Sequence, residues 1–557
     1  MLALLSEDGD KGKRTQQRQR EVYGRCLHVL RSASLPATRG RKACVHYCCV
    51  PELVQAKADR CAFYRARLLE ALRRTGNRLT LVFYTDECTP GNVLDVANRR
   101  KTNLTYVSFL QLPLYMESCW LTVSASRRDE IRKLAGGMPA LVRLLLEKIR
   151  EDSVDGFPVQ LNDSVELIFI DRVMVLADHE GLRALTGCKG SSGLKPCLKC
   201  SNVLSVRCRS VPGHVRLSEK DASKFRSQTQ RGVRDIATHL SGIEGKTALA
   251  DAEKYLGWVS EGLQCSFLVS DVLQGWCELQ DCTFDAMHCL WGNGLVCQEI
   301  GLWMAAARAQ HSGVLPCLQQ YATRGWKLSP QFGKHQYVMK DLFTDALFVS
   351  GSDYKGDAQD ALVALPLCVQ FSYDLLFEDL ALRPAIRSLD ALYQVCLCVL
   401  RSKIQPEESA ALLTLQAEHA RCFQLAYPSA FCRPKMHFSL HLRSQCLMWG
   451  RLVDCFVCER KHRAFKTHVA PHHNNMARFS KDCLLQLVDL ELRSPMPENA
   501  LEPQLRGAES ARPDLAERFA VREAVFAAGA SSRGRQIAKG EVLILSPSTA
   551  VEVTGAV

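Results

Sequence analysis

Two aspartates stand where strand-like apolar runs end, and carboxylates at such positions can bind divalent cations. Asp86 follows the run "LTLVFY" (79–84), and Asp178 follows "LIFIDRVMVLA" (167–177). Open α/β sheets place their sites at the carboxyl ends of strands. Two carboxylates brought together there repel unless cations neutralise them, and two Mg²⁺ ions would support in-line attack at a phosphodiester. The alternative is that each aspartate only begins a turn or caps the next helix.

A third acidic residue would complete such a site, and Glu459 in "CFVCERKHRAFKTH" (455–468) is the first candidate. The segment has helical spacing with one apolar and one basic face, and the basic face would suit phosphate contacts through Arg460, Lys461 and Lys466. The alternative is a solvated amphipathic helix. Glu299 is a second candidate for the third acid, because it lies about three helical turns beyond His288.

A thiol pair at metal-ligand spacing, Cys197 and Cys200 in "CLKC", predicts a zinc site. Asp285 and His288 in "FDAMHCLWGNG" (284–294) are candidates for the remaining ligands. Such a site would attach a later part of the chain to the core. Alternatively, His288 contacts substrate phosphate near the Mg²⁺ ions.

Two other interpretations of the thiol pair stay open. Cys208 and His214 follow closely enough to form a local zinc knuckle with Cys197 and Cys200. The other interpretation is that the thiols are reduced and buried, and that His288 makes a hydrogen bond within the core.

The elements that must position these residues alternate between sheet and helix in the first part of the chain. Apolar runs at 79–84, 102–112 and 164–177 predict strands, and residues 51–75 and 126–150 predict helices. This alternation indicates an α/β core. Helical patterns then dominate from about 255 to 430, as 287–311, 357–380, 385–403 and 406–426.

Composition is that of a globular protein with an ordinary core. The chain has 557 residues, 47% of them hydrophobic and 23% charged, and a net charge of +12 that permits a polyanionic partner. The 26 cysteines are scattered, so we expect free thiols in a reducing compartment. No signal peptide or apolar run of membrane-spanning length is present in the sequence. Neither a phosphate-binding loop nor a dinucleotide fingerprint occurs, because "GCKGSSG" lacks the ending that a phosphate loop needs.

Four ordered blocks resemble the characteristic motifs of CACTA-like eukaryotic DDE transposases. They are "YTDECTPGNVL" (84–94), "LADHEGLRALTGCKGSSGLKPCLKC" (176–200), "FDAMHCLWGNG" (284–294) and "HLRSQCLMWGRLVDCFVCERKHRAFK" (441–466). The resemblance implies an α/β, RNase H-like mixed sheet with flanking helices, interrupted by a large, mostly α-helical insertion. It implies catalytic, Mg²⁺-binding roles for Asp86, Asp178 and Glu459. Glu87 directly follows the first aspartate and is an alternative ligand.

The resemblance also implies an organisation for the whole chain. We expect a polar and basic arm (1–50), the first part of the core with the Cys-x-x-Cys pair (51–215), the helical insertion with Asp-x-x-His (216–435), the end of the core with the third acid (436–480) and a variable tail (481–557). The tail ends in a β-rich pattern that predicts a small β appendage.

The implied activity is metal-dependent DNA strand cleavage and strand transfer by two-metal in-line displacement, with two Mg²⁺ (or Mn²⁺) ions and a structural Zn²⁺. The expected partners are double-stranded DNA, both element ends and target, a separate end-binding protein and further copies of the chain, in the nucleus and without a membrane. The short arm has no end-binding module, so the chain is also compatible with a truncated or immobile descendant. The alternative function is a catalytically silent, transposon-derived DNA- or chromatin-binding protein.

Overall fold

The structure is a computed structural model with mixed α/β architecture. It describes residues 24, 26–90, 100–205, 208, 211–323, 339–349, 351–403, 406–473, 475–493 and 496, and strand segments between 504 and 553. The part of the predicted polar arm at 6–22 lies outside the described residues. The prediction of an α/β class is confirmed.

A six-stranded mixed sheet forms the centre of the protein. Its order is β10-β7-β3-β4-β5, and β6 pairs with β7 beside this path. The strands are β3 (Arg78–Cys88), β4 (Thr102–Phe109), β5 (Leu121–Arg127), β6 (Phe157–Leu161), β7 (Ser164–Ala177) and β10 (Cys282–Phe284). Both β3 and β10 run parallel to β7, whereas β4 and β5 continue the sheet in antiparallel fashion. The carboxyl ends of β3, β7 and β10 therefore meet at one edge.

Helices cover the sheet because its strands are almost continuously apolar and need burial on both faces. The flanking helices are α1 (Val50–Arg60), α2 (Ala62–Thr75), α3 (Arg128–Ile131), α4 (Gly137–Ser153), α5 (His179–Thr186), α17 (Phe456–Ala464) and α18 (Phe479–Leu492). The helix predicted over 51–75 is divided at Cys61, which has an extended backbone, and it ends at Gly76 in the left-handed region. The segment predicted as one helix over 126–150 contains the end of β5, the short helix α3 and then α4, which begins at Gly137, the second of two glycines with positive φ.

Between β7 and α17 the chain makes a mostly helical region, as predicted. Its helices are α6 (Gln230–Ser241), α7 (Lys246–Leu256), α8 (Ser260–Gln264), α9 (Ala286–Leu290), α10 (Leu295–Gln310), α11 (Val314–Thr323), α12 (Ala358–Leu375), α13 (Arg383–Ser402), α14 (Leu412–Ala426), α15 (Pro434–Ser439) and α16 (Leu442–Trp449). The short strands β8 (Val203–Leu204) and β9 (Val215–Arg216) pair with each other. The strand β10 belongs to this region in sequence but pairs with β7, and so the region contributes a strand to the central sheet.

Two regions that we predicted to lie outside the core are part of the folded structure. Strands β1 (Leu30–Pro36) and β2 (Lys42–Cys48) form an antiparallel hairpin within the predicted arm. The helix α18 lies partly beyond the predicted end of the core, and its Glu491 carboxylate accepts a 2.9 Å hydrogen bond from the Thr122 backbone amide of β5.

The last strands form a second, five-stranded sheet, which agrees with the predicted β appendage. They are β11 (Gln504–Glu509), β12 (Glu523–Ser532), β13 (Arg535–Ile537), β14 (Val542–Ser546) and β15 (Thr549–Val553). All 26 cysteines are free, and most are buried. Among the described residues, no helix is both long and apolar enough to cross a membrane.

Candidate metal centres

The register of the central sheet brings the two predicted aspartates to one level. Tyr84 pairs with Leu176 across the parallel strands β3 and β7, and two residues further on these strands lead to Asp86 and Asp178. Asp86 lies inside β3 rather than after it. Asp178 follows β7 and caps α5, where its Oδ1 accepts a 2.5 Å hydrogen bond from the amide of Gly181. Asp178 can therefore cap α5 and also lie at the sheet edge that carries Asp86.

Glu459 reaches the same edge from α17. The Tyr84 hydroxyl lies between the two acids, 3.4 Å from Oδ2 of Asp86 and 3.5 Å from Oε1 of Glu459. Carboxylate oxygens of Asp86 and Glu459 and a ring nitrogen of His462 all lie within 4.8 Å of one another. We refer to Asp86, Asp178 and Glu459 as the acidic cluster.

The other candidates for these roles lie elsewhere. Glu299 is buried in the helical region, where its Oε2 is 2.7 Å from Nε2 of His419 and its Oε1 accepts a hydrogen bond from Ser388. Glu87 forms an ion pair with Arg128 at 3.3 Å. Each of these two glutamates contacts its own partner, and among the candidates Glu459 is the one whose side chain lies beside that of Asp86.

The pKa values of the acidic cluster reflect crowded negative charge. Burial, and then the charges of Glu459 and Asp178, raise the pKa of Asp86 to about 8. Burial opposes ionisation of Glu459 as well, but a hydrogen bond from His462 and the charges of His462 and His288 lower its pKa to about 2. In the absence of cations, Asp86 and Glu459 therefore favour a state in which they share one proton. Divalent cations can replace that proton, so the residues present fit a Mg²⁺ site.

Asp285 and His288 belong to this edge and not to the thiol pair. The amide of Asp285 donates a 3.1 Å hydrogen bond to the carbonyl of Ala177, next to Asp178, because β10 pairs with β7. Nε2 of His288 lies 3.8 Å from Oε1 of Glu459. The predicted ligand set of Cys197, Cys200, Asp285 and His288 is therefore not brought together, since the three-residue strand β10 carries its second half to the acidic cluster.

Asp285 holds His288 in place. Its carboxylate accepts the amides of Met287 and His288 as the cap of α9, and its Oδ2 is 2.5 Å from Nδ1 of His288. The same carboxylate accepts a 2.9 Å hydrogen bond from the amide of Cys455, where α17 begins. Burial disfavours the charged imidazole, but the hydrogen bond and charge of Asp285, with the charges of Asp178 and Glu459, raise the pKa of His288 to about 9.

Cys197 and Cys200 meet two histidines that the sequence analysis did not select, His437 and His441. We refer to these four residues as the Cys₂His₂ cluster. Nε2 of His441 lies 3.4 Å from the sulfur of Cys197, 3.5 Å from that of Cys200 and 3.3 Å from Nε2 of His437. The signal was present in the sequence, since "HFSLH" spaces two histidines four residues apart, as in many zinc sites.

The geometry of this cluster fits zinc. Tetrahedral zinc, with sulfur at about 2.3 Å and nitrogen at about 2.0–2.1 Å, separates its ligand atoms by about 3.3–3.8 Å. The three distances from His441 fall within that range. Burial, with the charges of His437 and Lys199, lowers the pKa of His441 well below its usual value, which favours the neutral ring that binds metal. Cys208 and His214, the predicted local knuckle, belong to no such cluster among the described residues.

The three basic residues predicted to contact DNA differ in exposure. Lys466, in a π-helical turn (Phe465–Val469), and Arg460 are exposed, and Arg460 forms an ion pair with Glu117 at 3.2 Å. Lys461 is buried: its Nζ donates to Oε1 of Glu491 at 2.7 Å and to the carbonyl of Trp120 at 3.1 Å. Lys461 therefore does not lie on the predicted basic surface. It anchors α17, and with it Glu459, to α18 and the sheet.

His462 is a site residue that the sequence analysis did not identify. It lies one helical turn beyond Glu459, and its Nδ1 is 3.5 Å from Oε2 of that residue. Its ring packs against Tyr84 and Tyr106, and in the described part of the chain its Nε2 is buried without a hydrogen-bond partner. The i, i+3 spacing on a helix could have identified it.

Comparison of the chain with protein-family models and with curated proteins gives no match.

Proposed function

We propose that this protein is a metal-dependent DNA-cleaving and strand-transferring enzyme with an RNase H-like core, of the kind found in the CACTA-like DDE transposases that its motifs resemble. The observation that carries the proposal is the acidic cluster. Three carboxylates from β3, the end of β7 and α17 share one sheet edge, and their mutual repulsion is incompletely neutralised by protein cations. A purely structural carboxylate would have a partner such as His419 provides for Glu299.

Each carboxylate has a free or weakly held oxygen with which to bind a cation. The Oδ1 atoms of Asp86 and Asp178 accept backbone amides, whereas the remaining oxygen of Asp86 is left to the hydroxyl of Tyr84, at 3.4 Å, and to the neighbouring carboxyl group of Glu459. Two Mg²⁺ ions held there would supply a nucleophilic water, then an activated 3′-hydroxyl, and charge stabilisation for both in-line displacements. The amide contacts hold the two aspartate side chains, and the remaining oxygen of Asp86 lies on the side of Tyr84 and Glu459.

His288 would contact the phosphate under attack. Its Nδ1–H donates to Asp285, and its Nε2 faces the acidic cluster. Against the effect of burial, the hydrogen bond and charge of Asp285 raise the pKa of the ring, which favours the imidazolium form with a hydrogen on Nε2. This hydrogen can be donated to a non-bridging phosphate oxygen, and the positive charge would stabilise the added negative charge of the transition state.

DNA would be bound mainly through phosphate contacts beside this edge. Arg460 and Lys466 are exposed on the segment that carries Glu459, and the net charge of the chain is +12. The substrates would be double-stranded element ends and target DNA, which implies a nuclear site of action. Cutting two ends of an element in concert would require at least two copies of the chain. A structural zinc in the Cys₂His₂ cluster would join the segment after α5 to the segment before α17.

The test is metal-dependent cleavage of supercoiled plasmid by the full chain, followed by transfer of a pre-cut 3′ end into a second plasmid. The wild-type protein should cut in Mg²⁺ or Mn²⁺, and Asp178→Asn should not, with DNA binding at fixed salt nearly unchanged. The substitution removes a charge that holds cations and preserves the shape that caps α5. Glu299→Gln, the same type of change in a buried acid outside the acidic cluster, is the matched control and should cut normally.

Two outcomes would contradict the proposal. Undiminished cleavage by Asp178→Asn would make that residue a helix cap only. Binding of DNA by wild type and variant, without cleavage by either in Mg²⁺ or Mn²⁺, would favour the catalytically silent DNA- or chromatin-binding relative.

A further inference from the structure

The ring of Phe438 contacts both His437 of the Cys₂His₂ cluster and two segments of the acidic edge, by which we mean the sheet edge that carries the acidic cluster, Asp285 and His288. Phe438 follows His437 and is fully buried. Its ring stacks on the ring of His179, with centroids 4.2 Å apart and planes inclined by 27°. It also stacks on Phe284, with centroids 4.9 Å apart and planes inclined by 16°. Phe438 therefore contacts two side chains from two different segments.

Both partners are chain neighbours of acidic-edge residues. His179 directly follows Asp178, and Phe284 directly precedes Asp285. These two segments are already paired, because Phe284 lies opposite Ala177 in the sheet. A change in the position of the Phe438 ring would thus be felt at Asp178 and at the residue that holds His288.

A second set of contacts runs from the same histidine segment to β10. The ring of His441 lies 5.5 Å from that of Phe284. Gln445, one helical turn beyond His441, accepts the amide of Phe284 at 2.9 Å and donates to its carbonyl at 3.0 Å. The segment that carries the two histidines therefore holds both the side chain and the backbone of Phe284.

The helix that carries Phe438 is too short to fix its own position. The helix α15 has six residues, and an isolated helix of that length is not stable in water. Its placement depends on tertiary contacts and on whatever holds His437 and His441. A metal bound by these histidines and by Cys197 and Cys200 would fix both ends of the segment that contains Phe438.

We propose that Phe438 is a positioning residue through which zinc binding at the Cys₂His₂ cluster orders Asp178 and the Asp285–His288 pair. The proposal rests on the proposed function in so far as it treats these residues as parts of a catalytic edge. It goes beyond that function because it makes the zinc a determinant of the acidic edge and not only a link between segments.

A phenylalanine that only fills the core would behave differently. Its loss would destabilise the protein to the same extent with and without zinc. A positioning role instead predicts that Phe438 decides whether zinc has an effect at the acidic edge. The informative measurement is therefore a difference between zinc-loaded and zinc-free protein.

The experiment is amide hydrogen exchange on the full chain, with Zn²⁺ bound and after its removal, read over residues 177–186 and 284–291. In the wild type, zinc should slow exchange in both segments. In Phe438→Leu, elemental analysis should still find about one zinc per chain, and the slowing should be lost. Phe371→Leu, the same change at a fully buried position of α12, is the control and should retain it.

A second variant changes Phe284, the residue of β10 that stacks on Phe438. Phe284→Leu leaves the histidine segment unchanged and should also abolish the zinc-dependent slowing at residues 177–186. It keeps the test decisive if Phe438→Leu cannot hold zinc. Equal slowing by zinc in wild type, Phe438→Leu and Phe284→Leu would overturn the proposal, as would a wild-type protein in which zinc slows neither segment.

Mn²⁺ binding separates failure of this proposal from failure of the proposed function. We expect Phe438→Leu to weaken Mn²⁺ binding at the acidic cluster by about 10-fold, the scale on which residues behind metal ligands act. Unchanged Mn²⁺ affinity in that variant would count against the positioning role. If wild type and Asp178→Asn bound Mn²⁺ equally while zinc still ordered the two segments through Phe438, the proposed function would fail and the coupling would stand.

Discussion

Glu299 and Glu459 both lie on helices and were both candidates for the third acid, yet their surroundings are opposite. Glu299 has a histidine on one oxygen and a serine hydroxyl on the other, deep in the helical region. Glu459 faces two aspartates, and its histidine contacts are longer, at 3.5 and 3.8 Å. The first environment satisfies a carboxylate, whereas the second leaves it with charge that an added cation can neutralise.

Burial alone therefore does not identify a carboxylate with a functional role. A buried carboxylate whose hydrogen bonds and charge are satisfied contributes to the packing of its region. A carboxylate held near others of the same charge is kept there against its own electrostatic preference, and such sites are typical of catalysis and metal binding. The two glutamates therefore make a matched pair for experiments.

The largest expected effect is on catalysis. Glu459→Gln should lower Mg²⁺-dependent DNA cleavage by at least about 100-fold, because even residues that only support a metal ligand act on a scale of 10–100-fold. Glu299→Gln should leave the rate within about two-fold of wild type, since that residue contacts no part of the acidic cluster. Initial cleavage rates of the two variants on one plasmid preparation would decide between them. The reverse result would transfer the third-acid role to Glu299.

On stability, the order of the two glutamates should be reversed. Glu299→Ala leaves His419 buried without its partner and should cost about 3–5 kcal/mol of unfolding free energy. Glu459→Ala in metal-free protein removes a carboxylate whose side chain is 37% exposed, so water can take its place, and the variant should cost less. Urea unfolding of both variants in a chelating buffer measures the difference. Similar losses in the two variants would show that the two environments are not opposite.

The pH dependence of stability should distinguish metal-free from metal-loaded protein. The pKa values of Asp86 and His288 are raised to about 8 and about 9, both above their ordinary values. A group with a raised pKa in the folded state stabilises the fold at low pH and loses that contribution as pH increases. We therefore expect metal-free protein to lose stability from about pH 4.5 to 9, first through Asp86 and above about pH 6.5 through His288 as well. The lowered pKa of Glu459 acts below about pH 4.5 and does not enter this range.

The measurement is the urea midpoint at several pH values, with chelator and with Mg²⁺. Mg²⁺ should flatten the curve because it takes the place of the proton, and Asp86→Asn should flatten it without Mg²⁺. A metal-free curve that rises with pH over this range would contradict the assigned directions.

The smallest expected effect concerns the two lysines near Glu459. Lys466→Ala should lower the slope of DNA affinity against salt by about one, as expected for one phosphate contact. Lys461→Ala should leave that slope unchanged and destabilise the protein, because it removes the buried partner of Glu491. Gel-shift titrations at three salt concentrations, with urea unfolding of the same samples, separate the two roles. An altered slope for Lys461→Ala would show that it reaches DNA.

The sequence predicted the two aspartates of the acidic edge better than it predicted the partners of Cys197 and Cys200. Asp86 and Asp178 follow apolar runs, and the parallel pairing of β3 with β7 brings the ends of these runs together. The partners of Cys197 and Cys200 lie more than 230 residues away, on two short helices whose positions depend on tertiary contacts. Local spacing favoured Asp285 and His288 as ligands. The three residues of β10, which carry that pair elsewhere, are too few for a strand pattern to be recognised.

Sequence spacing also could not predict which basic side chains near Glu459 are buried. Lys461 shares the basic face of α17 in sequence with Arg460 and Lys466, but α18 brings Glu491 against one part of that face. The sequence pattern does not distinguish between positions on one helix face, whereas tertiary packing buries some of them and leaves others exposed. The same packing made Glu491, which no motif indicates, the carboxylate that fixes the helix of Glu459.

The distance along the chain between the members of the acidic edge has a consequence for synthesis. Tyr84 and Glu459 are separated by 375 residues, although their side chains are 3.5 Å apart. A chain emerging from the ribosome at about 5–20 residues per second needs tens of seconds to pass from one to the other. For most of that time the nascent protein has its first two aspartates and no third acid. The order of the segments thus keeps the edge incomplete until most of the chain has been made.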